Sequence, residues 1–128
     1  IACFAPGGRV LLAVPRDKSD ANYPAMSDNL VRLHEARSAQ GEKFEVVELP
    51  LPYDAKTRHD GTRLEMSYIN FYACNGAIIM PAFDDKADDE AKAILADVYP
   101  DREIVQVDAL PIVEGGGGIH CITQQQPA

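Results

Sequence analysis

Asn75-Gly76 limits what this chain can fold into more than any other feature, because it separates two runs of strand character, residues 67–74 (SYINFYAC) and residues 77–80 (AIIM). Asn-Gly takes the positive φ angles of a type I′ turn, so the pattern predicts a tight β-hairpin. Other elements fall on either side of it. Residues 9–14 (RVLLAV) form an apolar run between Pro6-Gly7-Gly8 and Pro15, expected as a buried strand. After the turn and capping residues 19–24, Met26, Leu30, Leu33 and Arg37 recur at helical spacing until Gly41, which predicts a helix. Residues 43–49 (KFEVVEL) read as a strand stopped by Pro50-Leu51-Pro52, with a long loop to about residue 65. Beyond the hairpin, Ala87, Ala91, Ile94, Leu95 and Val98 mark one face of a second helix ending before Pro100. Residues 102–107 (REIVQV) form another strand, and residues 120–124, after a glycine run, are expected as a last one.

The order strand, helix, strand, hairpin, helix, strand places the chain in the α/β class. It suggests two passes of a weak repeat of roughly sixty residues, a length suited to one unit of a propeller-like assembly. A nucleotide-binding fold is disfavoured: Pro6-Gly7-Gly8 precedes its strand instead of following it, and no Lys-Ser or Lys-Thr pair accompanies it. Ile1 stands directly before an apolar run, more like the middle of a strand than a terminus, so the chain is expected to be a piece of something larger.

Composition narrows the function classes. The 128 residues are 46% hydrophobic and 25% charged, proportions of a globular chain and not of a disordered tail. Twenty acidic residues against twelve basic ones give a net charge of -8, with no basic cluster able to neutralise a phosphate backbone, so nucleic acid is not an expected partner. The apolar runs are too short to cross a bilayer, which removes the membrane as a partner. Three cysteines, Cys3, Cys74 and Cys121, show no C-x-x-C pairing, so reduced thiols and a cytoplasmic location fit best and no structural metal is indicated.

The stretch Gly115-Gly116-Gly117-Gly118-Ile119-His120-Cys121-Ile122-Thr123-Gln124-Gln125-Gln126-Pro127 concentrates the chemistry. Glycine lets backbone approach a ligand closely, and a cysteine just beyond stands where a reacting carbon meets sulfur. The alternative is a flexible turn followed by a small buried hydrophobe, since free cysteine is often buried and inert. Gly117 and Gly118 carry the same pair of readings, pocket lining or strand-entry turn. His120 adjoins Cys121, but adjacent residues of a strand face opposite sides, which removes it as a base if the segment is extended. His34 lies on the first helix and is expected to be packed or at the surface. His59, followed by Asp60-Gly61, lies in the long loop and is a weak candidate. Asn70 alternates with apolar Ile69 and Phe71, and so either faces a pocket or belongs to an ordinary half-buried strand. The residues supply a nucleophile without a convincing general base.

The glycine run, His120-Cys121-Ile122-Thr123-Gln124-Gln125 and Ser67-Tyr68-Ile69-Asn70-Phe71-Tyr72 resemble the agmatine deiminases, members of the peptidylarginine deiminase-like, guanidino-group-modifying superfamily, from about Ala2 to Pro127. The resemblance implies the C-terminal part, roughly two blades, of a five-bladed pseudo-symmetric α/β propeller, and a catalytic-domain portion that is not an independent domain. It implies Cys121 as the nucleophile that attacks a guanidinium carbon, releases ammonia, and is freed by water to leave a ureido product. It places Gly117, Gly118 and Asn70 at the substrate. The family's general acid/base histidine, in a Gly-His-x-Asp motif, and its first acidic residue lie upstream of the matched region and are absent from this sequence.

The implied substrate is agmatine, hydrolysed to N-carbamoylputrescine and ammonia in putrescine and polyamine biosynthesis, with no metal or organic cofactor. The implied partner is an N-terminal complement of the same enzyme. Two alternatives stay open: a deiminase or amidinotransferase for another guanidine such as arginine or peptidyl arginine, and a non-enzymatic binding module with an inert Cys121. Half a propeller exposing apolar strand faces is prone to association, so a homo-oligomer is also among the expected partners.

Overall fold

The computed structural model describes residues 1–126, and Pro127, the end of the cysteine-bearing stretch, lies outside the described residues. The first unit consists of β1 (Ala2–Ala5), β2 (Arg9–Val14), helix α1 (Tyr23–Glu35) and β3 (Glu45–Pro50). The second consists of β4 (Tyr72–Cys74), β5 (Ala77–Ala82), helix α2 (Ala87–Val98) and β6 (Glu103–Asp108). Each unit is a three-stranded mixed sheet in chain order, its first pair antiparallel and its second pair parallel. The parallel pairs run from Arg9↔Glu45 to Val14↔Pro50 and from Ala77↔Glu103 to Ala82↔Asp108. The repeat that was faint in the sequence is therefore explicit in topology.

Residue chemistry explains where the elements fall. Val10 to Val14 are all buried because β2 is the middle strand of its sheet, the position that a continuous apolar run suits. In α2 the buried residues Ala87, Ala91, Leu95 and Val98 follow the helical period, and burying Leu95 or Val98 contributes about 1.5–3 kcal/mol each. Pro81 sits in the central strand β5, yet β4 pairs only with residues 77–79, so its missing N–H faces an edge where no ladder bond is lost. The two units share one core, with Leu11 and Leu49 joining Tyr68, Phe83, Leu95 and their neighbours. Arg9 reaches across to the Val98 carbonyl at 2.8 Å, where a cation suits the C-terminal end of a helix. Arg16 joins Glu48 at 3.3 Å and Glu90 at 2.7 Å, one partner from each unit.

Four sequence expectations are corrected. The first helix stops at Glu35, because Ser38 Oγ accepts the amides of Gln40 and Glu42 in a small hairpin closed by the Arg37↔Lys43 bridge. The hairpin at Asn75-Gly76 is present, with Cys74 opposite Ala77, but only Gly76 has positive φ (79°), the pattern of a type II turn and not of type I′. The strand expected over residues 67–74 shrinks to Tyr72–Cys74, since the Asn70 amide bonds back to the Ser67 carbonyl at 3.1 Å in a turn. The last strand is instead a 3₁₀ turn, His120–Ile122, in which the amides of Cys121, Ile122 and Thr123 bond to Gly118, Ile119 and His120. A short helix α3 (Leu110–Glu114), absent from the expectation, opens the connection to it.

Candidate active site

The turn that carries Cys121 is anchored at both ends. Val113 in α3 and Ile119 after the glycines are buried at 3% and 4% exposure, so the four-glycine segment spans two fixed points. Gly116 turns the chain with φ of +100°, a conformation that side-chain-bearing residues rarely adopt. Arg58, from the long loop, donates to the carbonyls of Val113 (3.1 Å) and Glu114 (3.3 Å) and so satisfies the last carbonyls of α3. Sequence reading missed Arg58, and no local signal marks it, because its partners are more than fifty residues away.

Asn70 comes to the same place from the other unit's exit. Its turn is pinned by Tyr68, 0% exposed, and Phe71, 7% exposed, on either side. The Tyr68 hydroxyl donates to Asp88 Oδ1 at 2.7 Å, and its ring packs against Phe83 with centroids 5.4 Å apart. Asn70 Oδ1 accepts the His120 amide at 2.8 Å, while its Nδ2 lies 3.8 Å from Cys121 Sγ as a donor. Cys121 is exposed, and its thiol is lowered from the ordinary value first by the backbone of Gly118 and then by the Asn70 amide. A thiol with donors facing it and open access is the arrangement that favours the reactive thiolate. Cys3 contrasts with it: burial pushes its thiol up.

The structure thus brings Asn70, Gly117, Gly118 and Cys121 together. A Cβ on Gly117 would lie 3.3 Å from the Cys121 Cβ, and one on Gly118 would lie 2.5 Å from Asn70 Cγ. The histidine side chains line other surfaces. His34 is exposed on the last turn of α1, and His59 lines an open hollow of about 510 Å³ with Thr57, Arg58, Asp60 and Glu114. His120 lines a smaller hollow with Cys3, Phe4, Tyr72 and Tyr99 that does not include Cys121. The strand-alternation argument against His120 fails with the strand itself, but the side chain that hydrogen-bonds the sulfur is Asn70. Asn70 also lines a hollow of about 340 Å³, together with Asn22, Met26, Arg63, Glu65 and Ser67. Among the described residues no cluster of three His, Cys, Asp or Glu is placed to hold a metal ion, and no helix is long and apolar enough to cross a membrane.

Residues 1–127 match the family model described as Porphyromonas-type peptidyl-arginine deiminase. The chain belongs to that family. It is 42% identical to the agmatine deiminase of Pseudomonas fluorescens over 98% of this chain and 39% of that protein, and 44% identical to the agmatine deiminase of Pseudomonas aeruginosa with the same coverage. Among solved structures, the agmatine deiminase of Enterococcus faecalis superposes with a TM-score of 0.91 at 32% identity, over 99% of this chain and 39% of that one. The agmatine deiminase of C. jejuni, in a cysteine-to-serine form with substrate bound, superposes with a TM-score of 0.77 at 27% identity. This chain spans 36–39% of the length of the curated relatives it matches. The two sheet–helix units are accordingly two blades of the α/β propeller expected from the sequence, about a third of the fold.

Proposed function

We propose that this chain carries the nucleophile of an agmatine-hydrolysing deiminase and that Cys121 attacks the guanidinium carbon. The observation that supports it best is the exposed Cys121 sulfur facing the Asn70 amide at 3.8 Å beside a glycine-built turn. In this reading the thiolate forms a C–S bond, and one nitrogen leaves as ammonia once protonated. Water then adds to the covalent carbon, the C–S bond breaks, and the thiolate returns as N-carbamoylputrescine departs.

A guanidinium is planar, permanently charged and a poor electrophile, so carboxylates must hold it and an acid must protonate the departing amine. A histidine and acidic residues from an N-terminal complement supply these roles, and Gly117 and Gly118 lend backbone beside the sulfur. The reaction places the protein in putrescine formation in the cytoplasm, consistent with its three unpaired thiols. The family description names peptidyl arginine, which favours testing that substrate and free arginine beside agmatine.

The experiment combines the chain with the complementary N-terminal polypeptide, supplies agmatine, arginine or an arginine peptide, and measures ammonia and ureido product. Agmatine is expected to be turned over fastest, and Cys121→Ala to abolish turnover while agmatine still binds. Ureido product formed at the parent rate by Cys121→Ala would overturn the assignment.

A further inference from the structure

The hollow of about 340 Å³ that Asn70 lines lies at the C-terminal ends of β2 and β3, with Ala13 and Leu51 on its wall. Ligands of parallel α/β sheets collect at that end of the strands. Its volume is at the small end of the range for ligand pockets, which suits a short linear molecule. Met26, Leu51 and Ile69 give it an apolar side, while Asn22, Glu65 and Ser67 give it a polar one. The Ser67 hydroxyl is buried and has no hydrogen-bond partner among the described residues, an unmet polar group on the wall. Asn70 joins the hollow to the sulfur, because the same side chain stands 3.8 Å from Cys121 Sγ.

Charge is distributed unevenly there. Arg63 is held in a fork by Asp20, with contacts of 2.7 and 3.3 Å, so its charge is already matched. Glu65 is exposed and takes part in no ion pair among the described residues. Two carboxylates therefore accompany one guanidinium, and the hollow has a negative charge to spare. We infer that this hollow is the subsite for the distal ammonium of a guanidino-amine, with Glu65 as its counter-ion and Ser67 Oγ as a further acceptor, and that it selects amines over amino acids. This rests on Cys121 being the residue that attacks the guanidinium carbon. With that carbon at the sulfur, the alkyl tail lies along Met26, Leu51 and Ile69, and the ammonium reaches Glu65. The same carboxylate repels an α-carboxylate, so arginine, which carries one beside its amine, is disfavoured.

The test measures binding to the assembled Cys121→Ala enzyme by calorimetry. The ligands are agmatine, arginine and n-butylguanidine, which keeps the guanidinium and the alkyl chain but lacks the amine. Glu65→Gln is expected to weaken agmatine about fivefold, the scale of one exposed ion pair, and to leave n-butylguanidine unchanged. Ser67→Ala should weaken agmatine about threefold, the scale of one hydrogen bond, again without effect on n-butylguanidine. Glu65→Lys should weaken agmatine further and strengthen arginine. Unchanged n-butylguanidine also shows that the pocket of each variant is folded. Agmatine binding unaltered in Glu65→Gln, or a loss shared equally by n-butylguanidine, overturns the inference. Failure of the nucleophile assignment would show separately, as turnover surviving in the Cys121→Ala enzyme, and the three affinities still read Glu65 in that case.

Discussion

Replacing Tyr68 with phenylalanine removes one hydroxyl from the centre of the shared core and tests how the turn bearing Asn70 is held. The tyrosine is 0% exposed, and its hydroxyl donates to Asp88 Oδ1 at 2.7 Å. Phenylalanine fills the same space, and Asp88 keeps the amides of Phe83 at 3.1 and 3.2 Å and of Asp85 at 3.2 Å. The loss is therefore one hydrogen bond to a carboxylate that remains partly satisfied, about 1.5 kcal/mol, or a fall of about 5 °C in Tm for a chain of this size. The pH dependence is more discriminating. Burial first, and the hydrogen bond to Asp88 second, push the Tyr68 phenol above its ordinary range, so it stays protonated in the fold where an unfolded tyrosine ionises near 10. A group with a raised folded pKa stabilises fully below its unfolded pKa and loses that contribution as pH rises above it. At about pH 11 the parent chain has lost about 1.4 kcal/mol through this group, and Tyr68→Phe, with nothing to ionise, has not. Tyr99, also raised by burial, titrates equally in both proteins and cancels. Urea melts followed by circular dichroism should show a gap of about 1.5 kcal/mol at about pH 8 that closes to nearly zero at about pH 11. A gap that stays constant or widens would refute the reasoning.

Other perturbations read other parts of the chain. Gly76→Ala forces a side chain into a φ of +79° with nothing crowding it, so urea melts should show a loss of about 1–2 kcal/mol from backbone strain alone. Asp20 is lowered from its ordinary value chiefly by its hydrogen bond from Arg63, at 2.7 Å. Its contribution is present above the unfolded carboxylate pKa and lost as pH falls through the folded one, so Arg63→Ala should flatten the loss of stability below about pH 4 in acid melts. Arg58→Ala releases the carbonyls of Val113 and Glu114, and hydrogen exchange should rise in the amides of residues 115–118 while those of α2 stay protected.

What the sequence disclosed and what it hid divide along the range of the interactions. β2, β3, β5, β6 and α2 were legible because their signals are local: an apolar run between turns, a period of 3.6, a proline stop. The Asn75-Gly76 hairpin was legible, but its turn type was not, since Asn75 does not take the positive φ that its residue type allows. α3 left a faint signal, a proline in its first turn and Asp108 accepting the Leu110 amide at 3.1 Å, that reading for strands overlooked. Residues 67–70 alternate like a strand, yet Tyr68 turns inward to a partner twenty positions away, and that contact decides the backbone. Cys121 was found from its glycines and its family motif. The bond that links it to Asn70 spans fifty-one positions and has no local trace.

The repeat also explains why the site falls where it does. In each unit the third strand runs parallel to the second and then hands the chain to an exit segment, Leu51 to Phe71 after β3 and Ala109 onward after β6. Asn70 lies on the first exit and Cys121 on the second, so the two residues of the candidate site come from the exit segments of successive blades. Neither exit adds a strand to its sheet; each carries a turn, Ser67–Asn70 in one and the glycine run after α3 in the other, fastened by buried residues on both sides. A propeller brings such exits together around its axis, and a loop on a rigid scaffold can change its chemistry without disturbing the blades. The same geometry predicts that polar groups which the other blades of such a propeller bring to this site also lie on exit segments. Cross-linking from Cys121 to the N-terminal complement with a short thiol-directed reagent should then capture residues between that polypeptide's sheets and not residues on its helices; capture on a helix face would contradict it.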